Sequence, residues 1–370
     1  RLPMTQKHSP QEKAQHVLDS SPGDSKNVIE DWCTSRSLPG YRSKQIHQYI
    51  TDQSILDPSE MTSLPKGIRE ELSKDILASP LQIDQVLRSE DGTMKFLFRL
   101  QDKRSVEAVW IPTQDRGTLC VSSQVGCAAG CTFCATGTMK LSRNLRSSEI
   151  VGQWHTVDAF TRSEGKPGVT QIVFMGMGEP LHNYGPVSRS LKWLTSEDGF
   201  GMSPRRITVS TVGIVPKIPT LIEDHPQIRL AVSLHSAVEE TRARIVPIQA
   251  QHPLSELRDT LSKLRNSVRR ISLEYVVLPG VNDDIQEALA LASFARKCHG
   301  HINLLPFHPF EGAPFRAANE EDVERFREEV CQHYDGQVTA RRSRGLDIDG
   351  ACGQLALRSE RPPASQGIEP

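Results

Sequence analysis

From about residue 118 onward, short apolar runs rich in β-branched residues alternate with longer stretches whose apolar residues recur every three or four positions. The short runs are TLCVSSQ (118–124), QIVFM (171–175), RITVST (206–211), RLAVSL (229–234), ISLEYVVL (271–278) and INLLPF (302–307). The longer stretches SSEIVGQWHTVDAF, GPVSRSLKWLTS, LSELRDTLSKLRNSV and DIQEALALASFARKC carry helical spacing. Six such alternations predict parallel strands joined by crossover helices. Eight would close a full barrel, so the pattern predicts an α/β fold with a partial (β/α)6 TIM-like barrel. A doubly wound sheet is the alternative. A last helix, NEEDVERFREEVCQHY, leads to QVTARR.

Upstream the pattern differs. Residues 27–80 read as a small helical domain: NVIEDWCTSRSLPGYRSKQIHQYI is broken at Pro39-Gly40, and LPKGIREELSKDI follows Pro65. LQIDQVLRS and TMKFLFRL flank Asp91-Gly92, a hairpin signal, so residues 81–116 read as a β-rich extension before a core spanning 117–357. Residues 1–26 and 358–370 are polar, lack periodicity and read as loose tails.

Composition narrows the class. The chain has 370 residues, a net charge of -1 and 37% hydrophobic residues, which reads as soluble and globular. Near neutrality argues against a nucleic-acid coat over the whole surface but leaves room for a basic patch. No apolar run approaches bilayer length, so no membrane segment is expected. The eight cysteines cluster unevenly, unlike a secreted disulfide framework, and point to a reducing compartment. The cytoplasm is the expected location, or an organelle if a targeting peptide precedes Arg1.

In parallel α/β folds, chemistry gathers at the carboxyl ends of the strands. There the sequence places GCAAGCTFCATG (126–137), then GMGEP (176–180), Ser210 and Thr211, Ser233 and His235, and His308. The first segment holds Cys127, Cys131 and Cys134 in C-x3-C-x2-C spacing. Thiolates are soft ligands for iron–sulfur clusters or zinc. Three of them leave one iron of a cubane cluster free to bind a small molecule, and Gly126 and Gly130 suit a loop wrapped around a bulky core. A zinc site completed by a distant His or Cys is the alternative.

The triad at the end of a barrel strand resembles the radical S-adenosylmethionine (SAM) superfamily. TLCVSSQVGC, MGMGEP, ITVSTVGIVP, AVSLH, EYVVLPGVND and SRGLDIDGACGQL, in this order, closely resemble the RlmN/Cfr family of adenosine methyltransferases. LPGYRSKQIHQYI resembles that family's RNA-facing segment. The resemblance implies a barrel of the radical SAM type, one 4Fe-4S cluster on Cys127, Cys131 and Cys134, and two SAM molecules per turnover. SAM contacts map onto Gly178, Glu179, Ser210, Ser233, Leu234 and His235, and a further one onto His308, where many members carry asparagine.

The resemblance also implies a thiol relay. Carbon 2 of adenine is not nucleophilic, so it cannot attack the SAM methyl, whereas a thiolate can. Cys352 would take a methyl from one SAM, and a radical derived from the second would activate that methyl for addition to the ring. Glu107 in SVEAVWIP would accept the ring proton, and Cys120 would resolve the adduct through a transient disulfide with Cys352. A lowered thiol pKa would help, and Arg341, Arg342 and Arg344 are near in sequence to supply it. Glu107, Val109 and Ile111 share one face of their strand, where desolvation would favour a general base.

Expected substrates are rRNA at the peptidyl-transferase centre and tRNA at the adenosine 3′ of the anticodon, position 37. A flavodoxin or ferredoxin would donate electrons, and a monomer is expected. Lys140, Arg143, Arg146, Arg205, Arg206, Arg341, Arg342 and Arg344 suit phosphate contacts around the mouth, and the target base must flip out. Methylation at carbon 8, as in the Cfr type, and a zinc-stabilised RNA-binding module without catalysis are the rival readings.

Overall fold

A computed structural model describes residues 15–357. Residues 1–14 and the tail expected over 358–370 lie outside the described residues. Two compact units are present: residues 15–79 with Lys192–Gly201, and residues 80–191 with 202–357.

The first unit holds helices α1 (Pro22–Thr34), α2 (Tyr41–Thr51) and α3 (Lys66–Leu72). The loose tail expected through residue 26 is corrected here, because α1 begins at Pro22. Ser21 accepts from the Asp24 amide and Pro22 takes the first turn, a strong start signal in a polar stretch. Val17 and Leu18 are buried just ahead of it. Residues 192–201, expected in the core, join this unit through Trp193, whose indole N–H donates to the Ser20 carbonyl at 2.9 Å.

The second unit is built on one ten-stranded sheet. β1 (Leu81–Arg88), β2 (Met94–Leu100), β3 (Ser105–Thr113) and β4 (Arg116–Cys120) form an antiparallel meander. β5 (Gln124–Val125) and β6 (Arg143–Asn144) pair in a separate two-stranded ribbon around the short helix α4 (Ala135–Thr138). Helix α5 (Ser147–Ser163) then leads to β7 (Val169–Phe174), α6 (Tyr184–Thr195), β8 (Ile207–Thr211), α7 (Lys217–Asp224) and β9 (Arg229–Ser233). α8 (Glu239–Ile245), α9 (Leu254–Leu264), β10 (Ile271–Val277), α10 (Ile285–Cys298), β11 (His301–Pro306), α11 (Glu320–His333) and β12 (Val338–Ala340) complete it.

From β4 the strands run parallel in the order β4-β7-β8-β9-β10-β11-β12. The order follows the chain without reversal. A doubly wound sheet reverses at a switch point, so this is the partial barrel. β12, from QVTARR, adds a parallel strand beyond the six expected, with Ile302 paired to Val338. The stretch expected as an extension is continuous with the barrel sheet: Val109 of β3 pairs with Cys120 of β4, and Cys120 with Val173 of β7.

Candidate active site

The three cysteines sit on a loop that closes on itself. Gly126 has φ +79°, and a β-carbon there would stand 2.2 Å from the Lys140 carbonyl oxygen. At Gly137 the same atom would meet the Cys131 carbonyl oxygen at 2.4 Å. Only glycine fits either approach. Cys131 is buried and Cys127 half-buried. Burial pushes Cys127 up to about 11, raises Cys134, and raises Cys131 furthest, with the neighbouring thiols adding to the effect at Cys131. Three crowded thiols of this kind become thiolates when a cationic core neutralises them. Among the described residues no three His, Cys, Asp or Glu side chains surround a single-ion point. Three soft thiolate donors suit an iron–sulfur cluster held at three corners with the fourth left open.

The neighbouring strand ends close round this loop. Gly178 has φ +99° and packs on Gln124, whose side-chain carbonyl accepts the Glu179 amide at 2.8 Å. Glu179 is buried, and its two carboxylate oxygens accept from the amides of Leu181 (2.9 Å) and Val212 (2.8 Å). Burial outweighs those bonds and pushes its carboxyl up to about 7. Cys127 lies beside it and accepts from the Glu179 amide. Ser210 Oγ and Ser233 Oγ lie 3.2 Å apart at the ends of β8 and β9.

Leu234 and His235 donate their amides to the Glu274 carbonyl. His235 adopts a left-handed φ of +59°, and its Nδ1 accepts from the Val276 amide at 3.0 Å. That bond fixes the proton on Nε2, and burial, helped by Arg242, drives the ring down to about 3. The ring meets Phe133 of the cysteine loop edge-on at 4.4 Å. His308 is part of the same rim of strand-end loops, but its Nε2 is taken up by Ser343 Oγ at 2.6 Å.

The segment 345–357 crosses back to the cysteine loop as a strap. The Gly353 carbonyl accepts from the Ala135 amide at 2.7 Å, and the Leu355 carbonyl from Thr136 Oγ1 at 2.6 Å. Cys352, next to the Gly353 tie, is solvent-accessible yet has protein groups crowded around its sulfur. Crowding raises its thiol, Glu274 and Cys134 act in the same direction, and Arg341 opposes them. The lowered thiol expected from three arginines is thus corrected. Only Arg341 acts on Cys352, and burial prevails; Arg342 faces Glu320 at 3.8 Å and Arg344 faces Asp91 at 3.9 Å. Cys120, buried at the end of β4, is raised first by burial and then by the nearby Cys352. Both are free thiols in the structure.

Glu107 shares a strand face with Cys120, as alternation requires. Its expected apolar surroundings are corrected. Lys95 Nζ stands 3.2 Å from its Oε1, and its Oε2 accepts from the amides of Ala356 (3.0 Å) and Leu357 (3.2 Å).

Part of the expected basic rim is also reassigned. Arg205 and Arg206 precede β8, at the amino end of the strand and away from the mouth. Arg143 is committed to Asp102 and Glu149.

Three residues missed in the sequence belong to this site. Lys95 pairs with Glu107. Glu274 is a buried carboxylate in β10 that accepts from Asn303 at 2.8 Å. Arg242 is a buried guanidinium donating to the Leu234, Val212 and Ser233 carbonyls. Lys95 and Glu274 are lone charges inside apolar runs, a signal legible in MKFLF and ISLEYVV, whereas Arg242 lies in the charged stretch EETRARI and gives no such signal.

Comparison with known proteins agrees with this geometry. Residues 121–292 match the Radical SAM superfamily model. The dual-specificity RNA methyltransferase RlmN of Geotalea uraniireducens is 42% identical over 90% of this chain and 95% of its own length. Its namesake from Anaeromyxobacter is 41% identical over 85% of each chain. The crystal structure of a radical SAM methyltransferase from Sphaerobacter thermophilus superposes with a TM-score of 0.85 at 38% identity, covering 92% of this chain and 99% of that one. At this identity and coverage, the chain belongs to the RlmN family of radical SAM methyltransferases.

Proposed function

We propose that this enzyme methylates carbon 2 of adenosine in RNA, both in large-subunit rRNA at the peptidyl-transferase centre and in tRNA at position 37. The observation that carries the reading is the meeting of Cys352 with Cys120 and with Cys134 of the triad at one mouth. A radical source alone has no use for two further thiols. The dual-specificity name borne by the relatives supports the two RNA substrates.

Cys127, Cys131 and Cys134 would hold the 4Fe-4S cluster. Glu179, Ser210, Ser233 and His235, with the backbone at Gly178 and Leu234, would hold SAM, while His308, its Nε2 engaged by Ser343, would contribute through Nδ1 or on leaving Ser343. When bound, cluster and SAM supply the one-electron chemistry that forms a carbon radical.

The chain's own residues do the rest. Cys352 accepts the methyl group as a thiolate and carries it on sulfur, with Arg341 offsetting part of the burial that opposes its ionisation. Glu107 accepts the proton lost from the adenine ring. Once the adduct has given its unpaired electron to the redox partner, the Cys120 thiolate attacks the Cys352 sulfur. The sulfur–carbon bond breaks with its electron pair on the carbon now joined to the base, that carbon takes a proton from solvent to become the methyl group, and the disulfide is left for an external thiol to reduce. Two SAM molecules are consumed per turnover, a flavodoxin or ferredoxin-type protein supplies electrons, and the enzyme acts as a monomer.

The test is nucleoside mass spectrometry on separate rRNA and tRNA pools from cells lacking their own RlmN and expressing this chain. 2-Methyladenosine in both pools is expected. 8-Methyladenosine would move the enzyme to the Cfr type, and neither product in either pool would overturn the reading.

A further inference from the structure

Lys95 and Glu107 are the most deeply buried ion pair among the described residues, with side chains 4% and 1% exposed. Burying two charges costs several kcal/mol, and such a pair rarely outperforms two apolar side chains of like volume. Stability alone is therefore a weak account of it. Beyond each other, both groups reach the same object, the strap. Lys95 Nζ donates to the Asp349 carbonyl at 3.4 Å, ahead of Cys352. Glu107 Oε2 takes the consecutive amides of Ala356 and Leu357, beyond it. Leu357 itself is left-handed, with φ +57°. Successive amides aimed at one anion form a small nest, and a non-glycine residue holds that strain only where its surroundings enforce it.

We infer that Lys95 is a positioning residue for Cys352: by fixing the Glu107 carboxylate it clamps the strap on both sides of the cysteine and sets the sulfur at the mouth. The inference rests on the reading of Cys352 as methyl carrier. It also gives Glu107 two successive tasks. While the strap is down the carboxylate is engaged by two amides, and it is free to accept a proton only once the strap lifts.

The test uses the full-length reduced protein in four forms: wild type, Lys95→Met, Lys95→Arg, and the double replacement Lys95→Met with Glu107→Leu. The double replacement leaves no buried unpaired charge, so it keeps the test open if Lys95→Met misfolds. Hydrogen exchange at Ala356 and Leu357 and the methylated fraction of Cys352 are read by mass spectrometry. Exchange about tenfold faster or more is expected in Lys95→Met and in the double variant, as charged hydrogen bonds are lost. Core strand amides should stay unchanged, methylation should fall several-fold, and Lys95→Arg should restore both readings. Unchanged exchange at the two amides in the folded double variant overturns the inference. Faster exchange with no methyl on wild-type Cys352 supports the clamp and overturns the carrier reading instead.

Discussion

The cysteine loop and the strap both bring sulfur to the same mouth, yet they are built in opposite ways. The loop holds its shape through its own backbone, with glycines where Lys140 and Cys131 carbonyls press close. The strap has short turns of its own, such as the Gly350 amide donating to the Gly345 carbonyl at 2.8 Å, but these do not reach the rest of the site. Its position depends on groups lent by other elements: Thr136 and the Ala135 amide from the loop, Asp91 from the β1–β2 turn, and Lys95 with Glu107 from β2 and β3. A ligand for a fixed inorganic core calls for rigidity. A sulfur that must meet SAM, then adenine, then Cys120 calls for fasteners that can open.

The contrast is broken most severely at the sulfurs themselves. Cys131→Ala should lose iron and every SAM-dependent reaction, whereas Cys352→Ala should keep full iron content and SAM cleavage while losing all methyl transfer. Iron assay and product analysis on both variants check this. Cys120→Ala should accumulate a covalent protein–RNA adduct visible on denaturing gels, and rapid product release from it would remove Cys120 from its role.

Next in size is Gly126→Ala, which forces a β-carbon onto the Lys140 carbonyl and a side chain into a left-handed position. A loss of about 2 kcal/mol or more and a large drop in iron content are expected, with strap exchange affected only through the shared ties. Thr136→Val removes one fastener from the Leu355 carbonyl. About 1 kcal/mol is expected, read as faster exchange in the strap at undiminished iron content.

The smallest effect concerns acid. Burial opposes ionisation of Asp91, but bonds from Thr93 and the Gly345 amide hold it at about 2, below its ordinary 3.8. A depressed folded value contributes stability above about pH 4 and loses it as pH falls through about 2. Urea stability between pH 2 and 5 should show this slope in the wild type and lack it in Asp91→Asn.

Much of this was legible beforehand. The six parallel strands lie within a few residues of their apolar runs because burial on both faces leaves no other composition. The triad's spacing left a cluster and zinc both open until the family resemblance was added, and alternation grouped Glu107 with Val109, which the sheet register pairs with Cys120. The start of α1 was hidden because its signal is a cap, Ser21-Pro22, embedded in polar sequence. Arg205 and Arg206 were assigned to the wrong end although they precede their strand, since charge was read without chain direction. The partners of Glu107 depend on pairing of β2 with β3 and on a strap far away in the chain, and periodicity is silent about both.

The junction of β3 with β4 carries one more consequence. An open sheet ends in strands whose unpaired N–H and C=O groups recruit other chains, and natural proteins shield such edges. The meander shields this one: β4 would otherwise present its whole flank, with Cys120 on it, to any passing strand. A chain shortened to begin at residue 117, where composition suggests a core begins, would gain that sticky flank and lose Lys95 and Glu107 together. Self-association is its expected fate, so the barrel is not a detachable module of this enzyme.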